Sequence, residues 1–120
     1  MRLKTAMIYV KDFPALAAFY IDVLRLKPIE GTRSESWVEF DAGAVRLALH
    51  AIPAHIAAGI EIASPPQARE DTPIKLIFEV DDPDAERLRL EALGVIVLPR
   101  PWGGLDFLDP EGNIFSLWPV

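Results

Sequence analysis

The chain has 120 residues, 51% of them apolar and 25% charged, a net charge of -6 and no cysteine. This describes one globular domain with enough chain for a sizeable core, and it excludes disulfides, thiolate metal sites and a cysteine nucleophile. Scattered basic residues argue against nucleic acid as a partner, and without a membrane-length apolar run or a signal-peptide core the expectation is a cytoplasmic protein with no membrane partner.

In chain order, residues 3–10 alternate Ala6, Ile8 and Val10 against Thr5, Met7 and Tyr9, the pattern of a strand covered on both faces. Asp12 then caps a predicted helix with Pro14 in its first turn. Leu16, Phe19, Tyr20, Val23 and Leu24 follow at the spacing of one apolar helical stripe. Arg25 stands where a left-handed glycine would be expected to end that helix. Residues 27–31 form a weak strand, 32–36 a polar turn, and 37–41 with 44–50 a hairpin. Residues 51–72 have no clean period and carry three prolines; they are expected to connect two halves and to fold over a cleft as a lid. A strand at 74–80 leads to a helix capped by Asp82-Pro83, with Ala85, Leu88, Ala92 and Leu93 inward and Gly94 as its stop. A strand over 95–98 and a proline- and glycine-rich loop around Trp102 precede the last hairpin.

That hairpin, 105–118, has the more explicit turn: Asp109 to bond forward to backbone amides, Pro110 with its preset φ, Gly112 free to take positive φ. Sliding the chain by 68 residues lays 37–50 on 105–118, pairing Phe40 with Leu108, Asp41 with Asp109, Leu47 with Phe115 and Leu49 with Leu117. Each half reads strand, helix, strand, strand, strand, so the chain is read as a duplicated module: module one at about 1–50, a connection at 51–73, module two at about 74–120.

This order, together with MIYVKDFPALAAFYIDVLRL at the start and PWGG…FLDPEGNIFSLW at the end, resembles the vicinal oxygen chelate superfamily of glyoxalases, bleomycin-resistance proteins and extradiol dioxygenases. The resemblance implies an α+β fold of two βαβββ modules whose mixed sheets form a cupped, barrel-like wall around a cleft, commonly completed in a homodimer. In metal-using members, ligands project into the cleft from the first and last strands of each module. Carried over, those places fall on Thr5, Ala48 (Leu47 as second choice), Lys75 and Ser116. Two hydroxyls, a methyl and an ammonium do not hold a divalent ion, so no metal cofactor is expected.

On strand parity the cleft face carries Met7, Tyr9, Trp37, Glu39, Arg46, His50, Ile77, Glu79, Phe107 and Trp118 beside Thr5, Lys75 and Ser116. A cavity with aromatic walls and a few polar anchors suits a partly aromatic small molecule. Candidate ligand-binding residues are therefore Tyr9, Trp37, Arg46, His50, Lys75, Phe107, Ser116 and Trp118, with Trp102 closing one end. Bland roles stand beside these: interior filling or a dimer interface for Trp37, Phe107 and Trp118, a hydrogen-bonded histidine at His50, and an ion pair from Lys75 to Glu39 or, less favourably placed, Glu79. Three functions follow. The first is a metal-free small-molecule binder resembling bleomycin-resistance proteins. The second is a metal-dependent lyase, isomerase or dioxygenase using displaced ligands such as Glu39, His50 and Glu79. The third is protein interaction through an exposed aromatic surface.

Overall fold

The computed structural model describes residues 1–120, which divide into two compact units, Met1–Glu61 and Ile62–Val120. Each unit holds one four-stranded mixed sheet, which makes the fold α+β. In unit one, β1 (Thr5–Val10), β2 (Lys27–Pro28), β3 (Trp37–Asp41) and β4 (Arg46–Ala51) lie in the order β1-β4-β3-β2. In unit two, β5 (Leu76–Val80), β6 (Val97–Pro99), β7 (Leu105–Leu108) and β8 (Ile114–Pro119) repeat that order as β5-β8-β7-β6. The first and last strands of each unit pair in parallel and the others antiparallel. No helix is long and apolar enough to cross a membrane.

Helix α1 (Phe13–Ala18) starts where its cap dictates: the Asp12 side chain accepts a hydrogen bond from the Ala15 amide at 3.1 Å. The chain then widens into a π-helical turn over Phe19–Val23, closed by Leu24 N–H donating to the Phe19 carbonyl at 3.0 Å. Widening rotates the stripe, so Leu16, Phe19 and Tyr20 are buried while Val23 and Leu24 stay half-exposed. Tyr20 packs 6.2 Å from the Phe40 ring, centroid to centroid, joining helix and sheet. Arg25 has φ 61°, the left-handed conformation, which costs a non-glycine residue about 1 kcal/mol.

Helix α3 (Pro83–Ala92) is capped in the same way by Asp82, which accepts from the Ala85 amide at 3.1 Å. Its orientation corrects the expected one. Leu90 is its one fully buried residue, whereas Leu88 and Leu93 are 58% and 55% exposed, and Ala85 and Ala92 face solvent. The half-buried residues beside Leu90 are Pro83, Glu86, Arg87 and Arg89, the two arginines having aliphatic stems that can be shielded while the guanidinium stays in water.

The connecting segment also differs from a lid. Its first part forms the short helix α2 (Ala54–Ala57), after which the Ile60 carbonyl accepts from Lys11. Its second part is strapped onto the last turn of unit two. Arg69 N–H donates to the Gly112 carbonyl at 3.0 Å, and Glu70 pairs with Arg100 at 2.7 Å. Gly112 is required twice here: its φ is 81°, and a Cβ there would stand 2.0 Å from the Gln67 carbonyl oxygen. Gly43, in the first hairpin, has a similar φ of 90° with nothing within 4 Å. Gly43→Ala is therefore expected to cost about 1–2 kcal/mol from backbone strain alone. Gly112→Ala should cost more, about 3 kcal/mol or above, because the strap must also move. Urea midpoints of the two variants measure the difference, and equal losses would show that the close approach of Gln67 is relieved at no cost.

Candidate functional site

In unit one the register sets the open face of the sheet. Tyr9 lies opposite His50 and His50 opposite Trp37, while Met7, Ala48 and Glu39 form the next rung and Thr5, Arg46 and Asp41 the next. The first rung is a row of three rings across three adjacent strands: Tyr9 to His50 is 5.6 Å between centroids, tilted, and His50 to Trp37 is 5.5 Å, edge to face. The Nδ1–H of His50 donates to the Ala51 carbonyl at 2.7 Å. Tyr9 remains 58% exposed, so the row offers an apolar platform rather than a filled interior. Beside it, Glu39 is buried and accepts from Thr32 Oγ1 at 2.7 Å, with Arg46 at 3.6 Å. The Thr32 hydrogen bond holds the Glu39 carboxyl below its ordinary range; burial pushes the other way, and hydrogen bonds from Trp37 and Arg46 with the Arg46 charge add to the lowering. Arg46 is thus an ion-pair partner of Glu39 as well as a residue at the edge of the platform.

In unit two the pairing departs from the sequence repeat. In unit one Asp41 pairs with Arg46 and the turn closes inside that pair, Ala42 N–H donating to the Val45 carbonyl at 3.2 Å, whereas in unit two Asp109 donates its N–H to the Asn113 carbonyl at 3.0 Å, leaving three residues in the second turn against two in the first. Asp109 Oδ1 also accepts from the Glu111 and Asn113 amides, and Oδ2 from the Asn113 side chain. A slip of one residue moves every side chain of a strand to the other face. Phe107 therefore lies opposite Phe115, stacked on it at 5.5 Å between centroids, and is buried in the same interior row as Phe78. The expectation that Phe107 faces the cleft is corrected: Asp106 takes that place, a residue the repeat alignment assigned to the interior.

The open face of unit two is consequently Ile77 opposite Ser116 and Glu79 opposite Trp118, with Lys75 two residues before Ile77 and Asp106 carried opposite Ser116 by the β7–β8 register. Ile77 and Trp118 are 48% and 58% exposed; Asp106 and Ser116 are 3% and 4% exposed. Lys75 Nζ meets Asp106 Oδ1 at 2.6 Å, and Arg100 Nε meets Oδ2 at 2.7 Å. The ion pair anticipated for Lys75 is present, but its partner is Asp106 rather than Glu39 or Glu79. Burial pushes the Asp106 carboxyl up, and the hydrogen bonds and charges of Lys75 and Arg100 outweigh it, so the net displacement is downward. Arg100 also holds Glu70 at 2.7 Å and lies over the Trp102 ring at 5.4 Å, where Trp102 is 73% exposed.

The sequence-expected residues thus fall into two groups: Tyr9, Trp37, Arg46 and His50 on the sheet of unit one, and Lys75, Ser116 and Trp118 on that of unit two, with Trp102 on the loop beside Arg100. An open groove of about 660 Å³ beside α1, lined by Phe13, Ala17, Ile21, Arg33 and Glu35 among others, contains none of them. No three His, Cys, Asp or Glu side chains are grouped so as to hold a metal ion. Thr5 and Ala48 lie on the open face of unit one and Lys75 and Ser116 on that of unit two; neither pair supplies an imidazole or carboxylate, so the residues at these positions do not fit a divalent cation.

Because the Asp106 carboxyl is depressed on folding, its contribution is fully present above the ordinary carboxylate range and is lost as pH falls through about 4 and below. Asp106→Asn is expected to lower stability at pH 7 by about 1–3 kcal/mol, since Lys75 is partly exposed and solvates on its own, and to flatten the loss of stability between pH 5 and pH 3. Urea unfolding across that range reads both effects; a variant whose acid profile parallels that of the unmodified chain would remove Asp106 from the account.

A glyoxalase-like domain model matches residues 5–118. Among solved structures, a glyoxalase/bleomycin resistance protein/dioxygenase family enzyme from Burkholderia phytofirmans PsJN superposes with a TM-score of 0.74 at 25% identity, covering 100% of this chain and 99% of the other. Lactoylglutathione lyase from Agrobacterium tumefaciens superposes with a TM-score of 0.66 at 25% identity, over 98% and 92% of the two chains. TnmS3, an antibiotic binding protein from Streptomyces sp. CB03234, shares the fold with a TM-score of 0.68 at 21% identity over 99% and 95%. No curated protein matches the chain. With two sheets of identical strand order, a family match from the first strand to the last, and neighbours of the same architecture over most of their length, the chain belongs to the glyoxalase-like domain family of the vicinal oxygen chelate superfamily.

Proposed function

We propose that this chain binds a small, partly aromatic molecule without a metal ion, working as a cytoplasmic homodimer. The observation that carries the reading is the Tyr9–His50–Trp37 row, three rings side by side on an open sheet face, next to a carboxylate already satisfied by Thr32 and Arg46. A planar ligand gains apolar burial and ring stacking on such a row without having to neutralise a charge. The large exposed side chains Tyr9, Ile77 and Trp118 point to faces that a ligand or a second copy of the chain covers. An antibiotic-binding protein shares the fold, so recognition is among the uses to which this scaffold is put.

The lyase named among the neighbours supports the competing reading, a metal-dependent reaction with displaced ligands. Glu39, His50 and Glu79 do not form a three-donor group, and Glu39 is already engaged by Thr32 and Arg46, which disfavours it.

Tryptophan fluorescence titrated with neutral, cationic and anionic naphthalene derivatives, with and without chelator, tests the proposal. Binding of at least one of them is expected to be indifferent to chelator and to weaken about tenfold or more in Trp37→Ala. Stoichiometric zinc, nickel, manganese or iron in protein purified without chelator, with binding lost on its removal, would favour the lyase-type reading instead. Sedimentation across a concentration range reports the dimer.

A further inference from the structure

The open face of unit two contains a polar group that the free protein leaves unsatisfied. Ser116 is 4% exposed and its Oγ has no hydrogen-bond partner. It sits on the central strand β8, where the neighbouring backbone groups are committed to the sheet ladder. A buried hydroxyl without a partner is destabilising, and such a group calls for a specific explanation. Its surroundings are also particular. Asp106 is carried to the opposite position on β7, with Lys75 on one oxygen and Arg100 on the other. Ile77 lies beside Ser116 on β5, and Trp118 two residues further along the strand, both open to solvent. Positions two apart on a strand are separated by about 6.5–7 Å on one face, the length over which a single aromatic ring with one substituent extends.

Building on the binding reading above, we propose that Ser116, Asp106 and Lys75 form a subsite for a neutral hydroxyl group, phenolic or alcoholic, on a ligand whose apolar body rests against Ile77 and Trp118. Charge selects this class. Lys75 and Arg100 are balanced by Asp106 and Glu70. A carboxylate or phosphate entering here adds an unbalanced negative charge beside Asp106, and an ammonium must displace Lys75 from a 2.6 Å contact. A hydroxyl brings no charge and is both donor and acceptor. It accepts from the Ser116 Oγ–H or from Lys75 and donates to an Asp106 oxygen, which has lone pairs beyond those used by the two cations. Ser116 is then retained for recognition against its own stability.

NMR titration of the Trp indole resonances with three probes of one shape, p-cresol, toluene and p-toluate, tests this on the intact protein and on Ser116→Ala. The expected result is p-cresol bound about tenfold or more tightly than either of the others, a preference that Ser116→Ala reduces to within about twofold. The melting temperature of unliganded Ser116→Ala should be unchanged or higher, because the hydroxyl it removes has no partner. Toluene binding as well as p-cresol, p-toluate binding better, or Ser116→Ala retaining the full preference each overturns the hydroxyl subsite while leaving aromatic recognition standing. A fall of several degrees in the variant shows that the hydroxyl is already satisfied and overturns it as well. If no probe binds at all, both this subsite and the binding reading beneath it fall.

Discussion

Asp109 is fully buried at the mouth of the last hairpin, where its two carboxylate oxygens take hydrogen bonds from the backbone amides of Glu111 and Asn113 and from the Asn113 side chain. A carboxylate satisfied this fully defines its turn to the residue, and the turn in turn defines register. From that register follow the burial of Phe107 against Phe115 and the emergence of Asp106 on the open face beside Ser116. The strap over 62–73 can then lie across Gly112, reaching Arg100 through Glu70. The core of unit two and its open face are thus two consequences of one hydrogen-bonded turn.

Both units solve one electrostatic problem with different residues. Each open face carries a nearly inaccessible carboxylate, Glu39 or Asp106, and each is kept ionised by donors from adjacent strands and loops: Thr32 and Arg46 for the first, Lys75 and Arg100 for the second. Oxygens engaged in this way have little to offer a metal ion, and the nearby ammonium and guanidinium groups repel one. The proposed recognition by ring faces and single hydrogen bonds would use groups that also stabilise the fold.

Much of the fold was legible because its signals are local. The caps Asp12 and Asp82, the left-handed Arg25 and the turn chemistry of 109–113 depend only on near neighbours, and each is found in place; the strand at 5–10 alternates as read but is covered on one face only, since Met7 and Tyr9 are exposed. The face of α3 was misjudged because its two apolar stripes are of similar strength, and only packing against the sheet selects Leu90 over Leu88 and Leu93. Phe107 was misplaced for a more specific reason. The duplication aligns it with Glu39, and nothing in the composition of the turn announces that the second turn loops out one residue more than its counterpart.

The amino-acid sequence alone determined the order of elements, the duplicated plan and the presence of aromatic residues on alternate strand positions, since all of these arise from periodicity and turn chemistry within about 20 residues. Tertiary structure decided which carboxylate each cation meets, where the 62–73 segment lies and that the Ser116 hydroxyl is left without a partner. Those are contacts between residues as much as 43 positions apart, as Arg69 is from Gly112, and they exist only once the fold has brought the groups within a few ångströms.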